Sequence, residues 1–199
     1  MPHIDYYFAT ISPFTYLCGI RPQEIATKNG ATIKYKPVDI MALFARTGGT
    51  ALKDRHPNRQ EYRLQDMVRR AKRCNLPLNP KPMFWPTNAA PSAYAIIAAQ
   101  NAGGGDLAKL VHLFGAACWA DERDISQDDT IRDCLTQAGF DPDLADKDMM
   151  TSADTFARNL EDAVSAGVFG APFFITDTDQ RFWGEDRLDD LDATLSGTL

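Results

Sequence analysis

Hydrophobic and polar positions fall into three stretches with different rhythms. His3 to Phe8 is short, aromatic and β-prone, which suits a strand buried on both faces. Ser12-Pro13 comes next, and serine at an N-cap with proline at the first helical position marks a helix start. Phe14, Leu17, Cys18 and Ile25, with Arg21 between them, carry that pattern as one long helix until Asn29-Gly30 closes it. Thr32 to Ile40, with Ile33, Tyr35 and Val38, reads as a second strand. Strand, helix and strand predict a right-handed βαβ unit with a parallel pair.

The middle of the chain changes period. Leu64, Met67, Val68 and Ala71 recur at helical spacing, and Asn75-Leu76-Pro77 ends that helix. Leu76 to Pro91 contains Pro77, Pro80, Pro82, Pro86 and Pro91, too many for regular structure, so a shaped loop is expected. Ser92 to Asn101 and Leu107 to Trp119 read as helices, the first almost wholly apolar and therefore buried. Ser126-Gln127-Asp128-Asp129 has the form of a capping box, opening a helix that Gly139 closes. Asp141-Pro142 starts a short helix. Ser152 to Ala166 is another, with Phe156, Leu160, Ala163 and Val164 on one face.

The tail returns to β structure. Pro172 to Thr176 is an apolar run, Asp177 to Gln180 a turn and Arg181 to Trp183 a short strand, together a β-hairpin. Gly184-Glu185-Asp186 opens a last helix that turns Leu188, Leu191 and Leu195 inward. The order βαβ, helices, ββα is that of an α/β thioredoxin fold with an all-helical domain inserted between its halves. The expected division is 1–45 with 168–199 for the thioredoxin-like domain and 46–167 for the insertion.

Composition narrows the chemistry. With 27 Asp+Glu against 21 Lys+Arg, the formal net charge of −6 disfavours nucleic acid or an anionic membrane as a general partner. No run approaches the roughly 18 apolar residues of a spanning helix, and the first residues lack a secretory pattern, so a cytoplasmic protein is expected. His3, His56 and His112 lie in unrelated segments and form no zinc-type cluster with the cysteines, so no metal is expected. Gly103-Gly104-Gly105-Asp106 lacks the Lys-Ser/Thr of a phosphate loop. Cys18, Cys74, Cys118 and Cys134 form no Cys-x-x-Cys pair.

In a thioredoxin fold the first helix N-terminus is the active position, because unpaired N–H groups gather there. Disulfide enzymes place Cys-x-x-Cys at that turn. Here it reads Ser12-Pro13-Phe14-Thr15, so dithiol–disulfide exchange has no nucleophile. Taken alone, Ser12 is a helix cap, Ala171-Pro172 the start of a strand, and Glu185-Asp186 acids that complement a helix dipole.

Three motifs add to that reading: Ser12-Pro13-Phe14-Thr15-Tyr16-Leu17, Val168-Phe169-Gly170-Ala171-Pro172 and Phe182-Trp183-Gly184-Glu185-Asp186-Arg187-Leu188. In this order, around a helical insertion, the chain resembles the glutathione-dependent 2-hydroxychromene-2-carboxylate isomerases and, more broadly, the kappa-class glutathione transferases. The resemblance spans nearly the whole chain. It implies glutathione as cofactor, with the sulfur beside Ser12 and Phe14 close by. It also implies a cis Ala171-Pro172 bond, the residue before the proline offering its N–H and C=O to the cysteinyl part. Glu185, Asp186 and Arg187 would receive the γ-glutamyl end. Arg59 falls where the kappa class has a lysine near the glycyl carboxylate.

Thr50 stands where an asparagine is common in the family, and Phe84, Trp85 and Trp183 could wall an aromatic substrate. Ala9 replaces an acidic residue often found three positions before the serine, which bears on the particular substrate. The function implied is isomerisation of 2-hydroxychromene-2-carboxylate, or a related intermediate of aromatic catabolism, by thiolate addition, bond rotation and elimination. A small aromatic substrate and a homodimer go with it. Kappa-like transfer or peroxide reduction, and a non-catalytic thioredoxin-fold binding protein, are the alternatives.

Overall fold

In the computed structural model, which describes residues 1–199, strand β1 (His3–Phe8) is an inner strand of a four-stranded sheet. The chain continues through α1 (Pro13–Leu17) and α2 (Arg21–Lys28) to β2 (Thr32–Pro37), which lies parallel to β1 with Tyr6 opposite Tyr35. Six helices follow: α3 (Ile40–Thr47), α4 (Pro57–Cys74), α5 (Ala90–Ala102), α6 (Leu107–Trp119), α7 (Asp128–Gln137) and α8 (Met149–Ser165). The chain then re-enters the sheet as β3 (Phe173–Thr176), antiparallel to β1, and β4 (Arg181–Trp183), antiparallel to β3. A 3-10 turn (Glu185–Arg187) leads into α9 (Leu188–Leu195). The strand order β2-β1-β3-β4 and the element order are those of a thioredoxin fold with helices between its two halves.

Successive side chains of a strand alternate faces, and β1 is apolar on both. Ile4, Tyr6 and Phe8 enter the larger core, where Tyr6 stacks on Phe174 with ring centroids 4.6 Å apart. Tyr7 enters a smaller core with Val38, Leu43, Ala163, Val168, Phe173 and Ile175, covered by α3 and α8. That double burial explains the unbroken aromatic run at the start of the sequence.

Several local expectations are corrected. The first helix is two helices. Pro22 cannot donate to the carbonyl of Cys18 and its ring would crowd it, so the helix breaks at Cys18–Ile20, with Gly19 at φ +58° making the turn. The second strand ends at Pro37 rather than Ile40. Asp39 accepts from the N–H groups of Met41 and Ala42 (2.9 and 3.1 Å), capping α3 and drawing Ile40 into it. The Ser126 capping box does not form. Asp124 Oδ1 holds the Ser126 N–H at 3.0 Å, and Gln127 takes the N-cap without a side-chain bond. Helix α8 begins at Met149 instead of Ser152; Met149 and Met150 are exposed in its first turn, outside the apolar face that the sequence pattern follows. Pro91 belongs to the first turn of α5, and the last helix opens as the 3-10 turn.

The helices meet the thioredoxin half most tightly where α6 crosses α1. A Cβ on Gly115 would stand 2.8 Å from Cβ of Tyr16, so only glycine allows this approach. Tyr16 in turn donates its hydroxyl to the carbonyl of Pro77 (2.8 Å), tying the proline-rich loop to α1.

Candidate active site

Ser12 is the N-cap of α1, with extended backbone (φ −83°, ψ 125°). Its Oγ accepts the N–H of Thr15 at 3.3 Å and donates to the carbonyl of Ala171 at 3.5 Å, the outer limit for such a bond. Ala171-Pro172 is cis. The Ala171 N–H makes no hydrogen bond within the chain, and its carbonyl receives only the long bond from Ser12. A hydroxyl and an open stretch of main chain therefore face one another at the end of β3.

Phe14 lies half-buried two residues further on, in the first turn of α1. The proline-rich loop brings Trp85 to it: Trp85 Nε1 donates to the carbonyl of Ile11 (3.0 Å), and its ring packs on Trp119 with centroids 5.5 Å apart. Glu122 anchors the loop by accepting from the Met83 N–H (2.7 Å) and from the Asn79 amide. Trp85-Pro86 is also cis. Phe84, the neighbouring residue, points outward and is 42% exposed.

Helix α4 lines the other side with two arginines that the sequence reading did not single out. Arg70 Cζ lies 5.6 Å from the Phe14 ring centroid, and Arg63 Cζ lies 5.8 Å from Phe14 and 5.7 Å from Trp85. Arg70 is ringed by carboxylates: Asp66 at 2.7 Å, Glu185 at 3.0 Å and Asp186 at 3.1 Å. Burial raises the Glu185 carboxyl above its ordinary value, and pairing with Arg70 only partly offsets this. Asp186 is more exposed; burial would raise it too, but hydrogen bonds from Arg70 and Arg187 outweigh that and hold it low. Arg187 lies at the surface between Asp186 and Asp190. A signal for both arginines existed. They are seven residues apart, two turns of one helix, and flank buried Met67 on the face that packs.

Ser12, Phe14, Trp85, Ala171 and Pro172 thus come together, with Glu185 and Asp186 joined to them through Arg70. Others stand apart. Trp183 is opposite Phe173 in the ladder and shares its face of the sheet, so its ring packs on Phe169 (4.9 Å) rather than beside Phe14. Thr50 is exposed, and its carbonyl accepts from Arg55 Nε at 2.8 Å. Arg59 is exposed on the first turns of α4 and forms no ion pair.

No cysteine takes part. Burial pushes the thiols of Cys18, Cys118 and Cys134 up, the last two to about 12, and Cys74 is half-buried on α4. The topology is that of thioredoxin, with Ser12 and no cysteine at the first helix turn. Residues 3–196 match the DSBA-like thioredoxin domain. The chain belongs to this family.

Within the DsbA-like family its relatives are more particular. It is 29% identical over 195 residues to a 2-hydroxychromene-2-carboxylate isomerase of Sphingobium xenophagum, which covers 96% of this chain and 97% of that one. It is 34% identical over 85 residues to glutathione S-transferase kappa 1 of Caenorhabditis elegans, over 42% of this chain and 37% of that protein. A solved structure of a 2-hydroxychromene-2-carboxylate isomerase shares the fold, with a TM-score of 0.77 at 23% identity over 98% of this chain and 95% of that one. No helix of this DsbA-like chain is long and apolar enough to cross a membrane.

Proposed function

We propose that this protein is a glutathione-dependent isomerase of 2-hydroxychromene-2-carboxylate or a related aromatic-catabolism intermediate. The observation that carries the reading is the pairing of Ser12 Oγ with the open main chain of Ala171 where the fold has no cysteine of its own. A hydroxyl donor beside a free N–H and C=O fits a cysteinyl peptide laid along the edge as a short added strand. When bound, glutathione would supply a thiol that adds reversibly to a conjugated carbon, so that the double bond becomes single and can rotate.

The chain's own residues would do the rest. The Thr15 N–H fixes the Ser12 oxygen, and the long bond to Ala171 leaves the hydroxyl proton free to turn toward a sulfur. A thiol of ordinary pKa about 8.5 is mostly protonated at neutral pH. One charge-assisted hydrogen bond of about 1.5–3 kcal/mol lowers that by roughly one to two units. Because α1 is only five residues long, its dipole adds little, and the hydroxyl carries most of the effect. Asp186 supplies a carboxylate for the γ-glutamyl ammonium. Phe14 and Trp85 present apolar walls against which an aromatic ring would be held and water excluded.

Calorimetry with reduced glutathione and an ultraviolet assay with chromene carboxylate test this directly. Binding together with turnover above the glutathione-only control is the expected result, and no turnover would reject the isomerase. The local likeness to a kappa glutathione transferase supports a second reading, transfer to electrophiles at the same site. An aryl halide in place of the chromene separates the two. Failure to bind glutathione would favour a non-catalytic binding protein. We also propose a homodimer in the cytoplasm, for which sedimentation and fractionation are the tests.

A further inference from the structure

Three arginines near the start of α4 have no carboxylate partner in a chain where acids outnumber bases. Arg55, Arg59 and Arg63 recur every four residues, so they lie along one side of the helix and its entry. None forms an ion pair, whereas Arg70 two turns on is bound by three carboxylates. The charges that act on Arg55 and Arg63 are those of other arginines: Arg59 on Arg55, and Arg55 on Arg63.

Arg63 is the innermost. Its guanidinium sits between the rings of Phe14 and Trp85, half-buried, and donates to no acceptor in the chain. Burial, with Arg55 second, lowers its pKa to about 10, so it remains charged at neutral pH. Its nitrogens are not sealed from solvent. A partly dehydrated fork of five N–H donors, left without acceptors between Phe14 and Trp85, fits a carboxylate bidentately.

We propose that Arg63 is the carboxylate-recognition residue of this site and restricts its second substrate to planar aromatic acids. The choice of site rests on the glutathione-isomerase reading. The carboxylate could come from such an acid or from the glycyl end of glutathione. The flanking rings favour the acid, since a flat ring attached to the carboxylate would lie against Phe14 and Trp85. Arg59 and Arg55, further out, extend the positive field toward solvent and draw anions in.

The test uses chromone-2-carboxylate, a stable ring analogue, and its neutral methyl ester, titrated calorimetrically into the whole protein with and without glutathione. Wild-type protein should bind the acid at least tenfold more tightly than the ester. Arg63→Gln should abolish that preference, and Arg63→Lys should restore part of it, while glutathione affinity stays within twofold. Near-ultraviolet circular dichroism confirms that the variants are folded. Equal binding of acid and ester, no binding of the acid, or a preference that survives Arg63→Gln overturns the proposal. A variant that loses glutathione instead assigns Arg63 to the glycyl carboxylate and overturns it too. A glutathione titration of the wild type alone reports on the isomerase reading, so the two can fail separately.

Discussion

Arg70 reaches from the helical segment to Glu185 in the C-terminal half, 3.0 Å from a carboxylate that is only 5% exposed. Removing the arginine leaves that carboxylate buried without its counter-charge. Arg70→Met should therefore lower unfolding free energy by about 3–5 kcal/mol in urea titrations. The double variant with Glu185→Gln should recover part of the loss. A single-variant loss within about 0.5 kcal/mol, ordinary for surface positions, would mean the pair does not hold the halves together.

The same carboxylate gives a pH signature. Below its ordinary value of 4.5, Glu185 is protonated both folded and unfolded and contributes no slope. As pH rises past 4.5, the unfolded chain loses its proton first. The folded state then binds more protons, and stability falls until the raised folded pKa is passed. Relative to wild type, Glu185→Gln should gain stability as pH rises above about 4.5. Asp186 has the opposite sign in a separate window: its contribution is present above its ordinary 3.8 and is lost as pH falls through its lowered value. Stability curves measured across both windows check the two slopes.

Ser12→Ala should cost about 1 kcal/mol through the lost cap, while Ser12→Thr keeps most of it. On the proposed chemistry, the alanine variant retains glutathione binding through Ala171 and Asp186 but loses the thiolate absorbance of the complex at neutral pH. Difference spectroscopy at several pH values reads this. An unchanged thiolate band would remove Ser12 from sulfur activation.

Gly115→Ala places a methyl 2.8 Å from Cβ of Tyr16 and 3.1 Å from its Cα. Backbone must move apart to admit it, so a loss of about 1–3 kcal/mol is expected. Thermal unfolding is the measurement, and an unchanged midpoint would show that α6 and α1 slide freely.

The four thiols should react unequally. Half-buried Cys74 is expected to react with an aromatic disulfide reagent first, the other three only after denaturant is added. Insulin reduction should stay at the background rate, since no cysteine stands at the α1 turn.

Much of the architecture was legible because it rests on local signals: the Ser12-Pro13 start, the apolar runs of β1 and β3, and the hairpin around Asp177–Gln180. What escaped lay in short-range competition for backbone groups, in exposed first turns and in contacts between distant segments. Ser126 looked like a cap until Asp124 claimed its N–H, and Met149 and Met150 carried no inward face to reveal the start of α8. Pro22 is itself a local signal, since it alone forbids one continuous helix. At the candidate site, the Ser12 cap was legible from the Ser-Pro pair and the cis Ala171-Pro172 bond from the motif around it. Arg63 and Arg70 carry only a weak signal, their spacing around Met67, because a charged residue on an amphipathic helix looks solvated until the ring it covers is known. Trp183 sits on the far face of the sheet from Phe14 because of its register with Phe173, which no single segment encodes.

The pairing of β1 also bears on synthesis. β1 finds β2 within its own neighbourhood, yet its other edge waits for β3, which is translated only after every helix of the insertion. Until then, a nascent chain on the ribosome displays an unpaired, largely aromatic strand edge to the surrounding cytosol. Truncation anywhere before Phe173 should therefore yield an aggregation-prone fragment held by holdase chaperones, whatever helices have already formed.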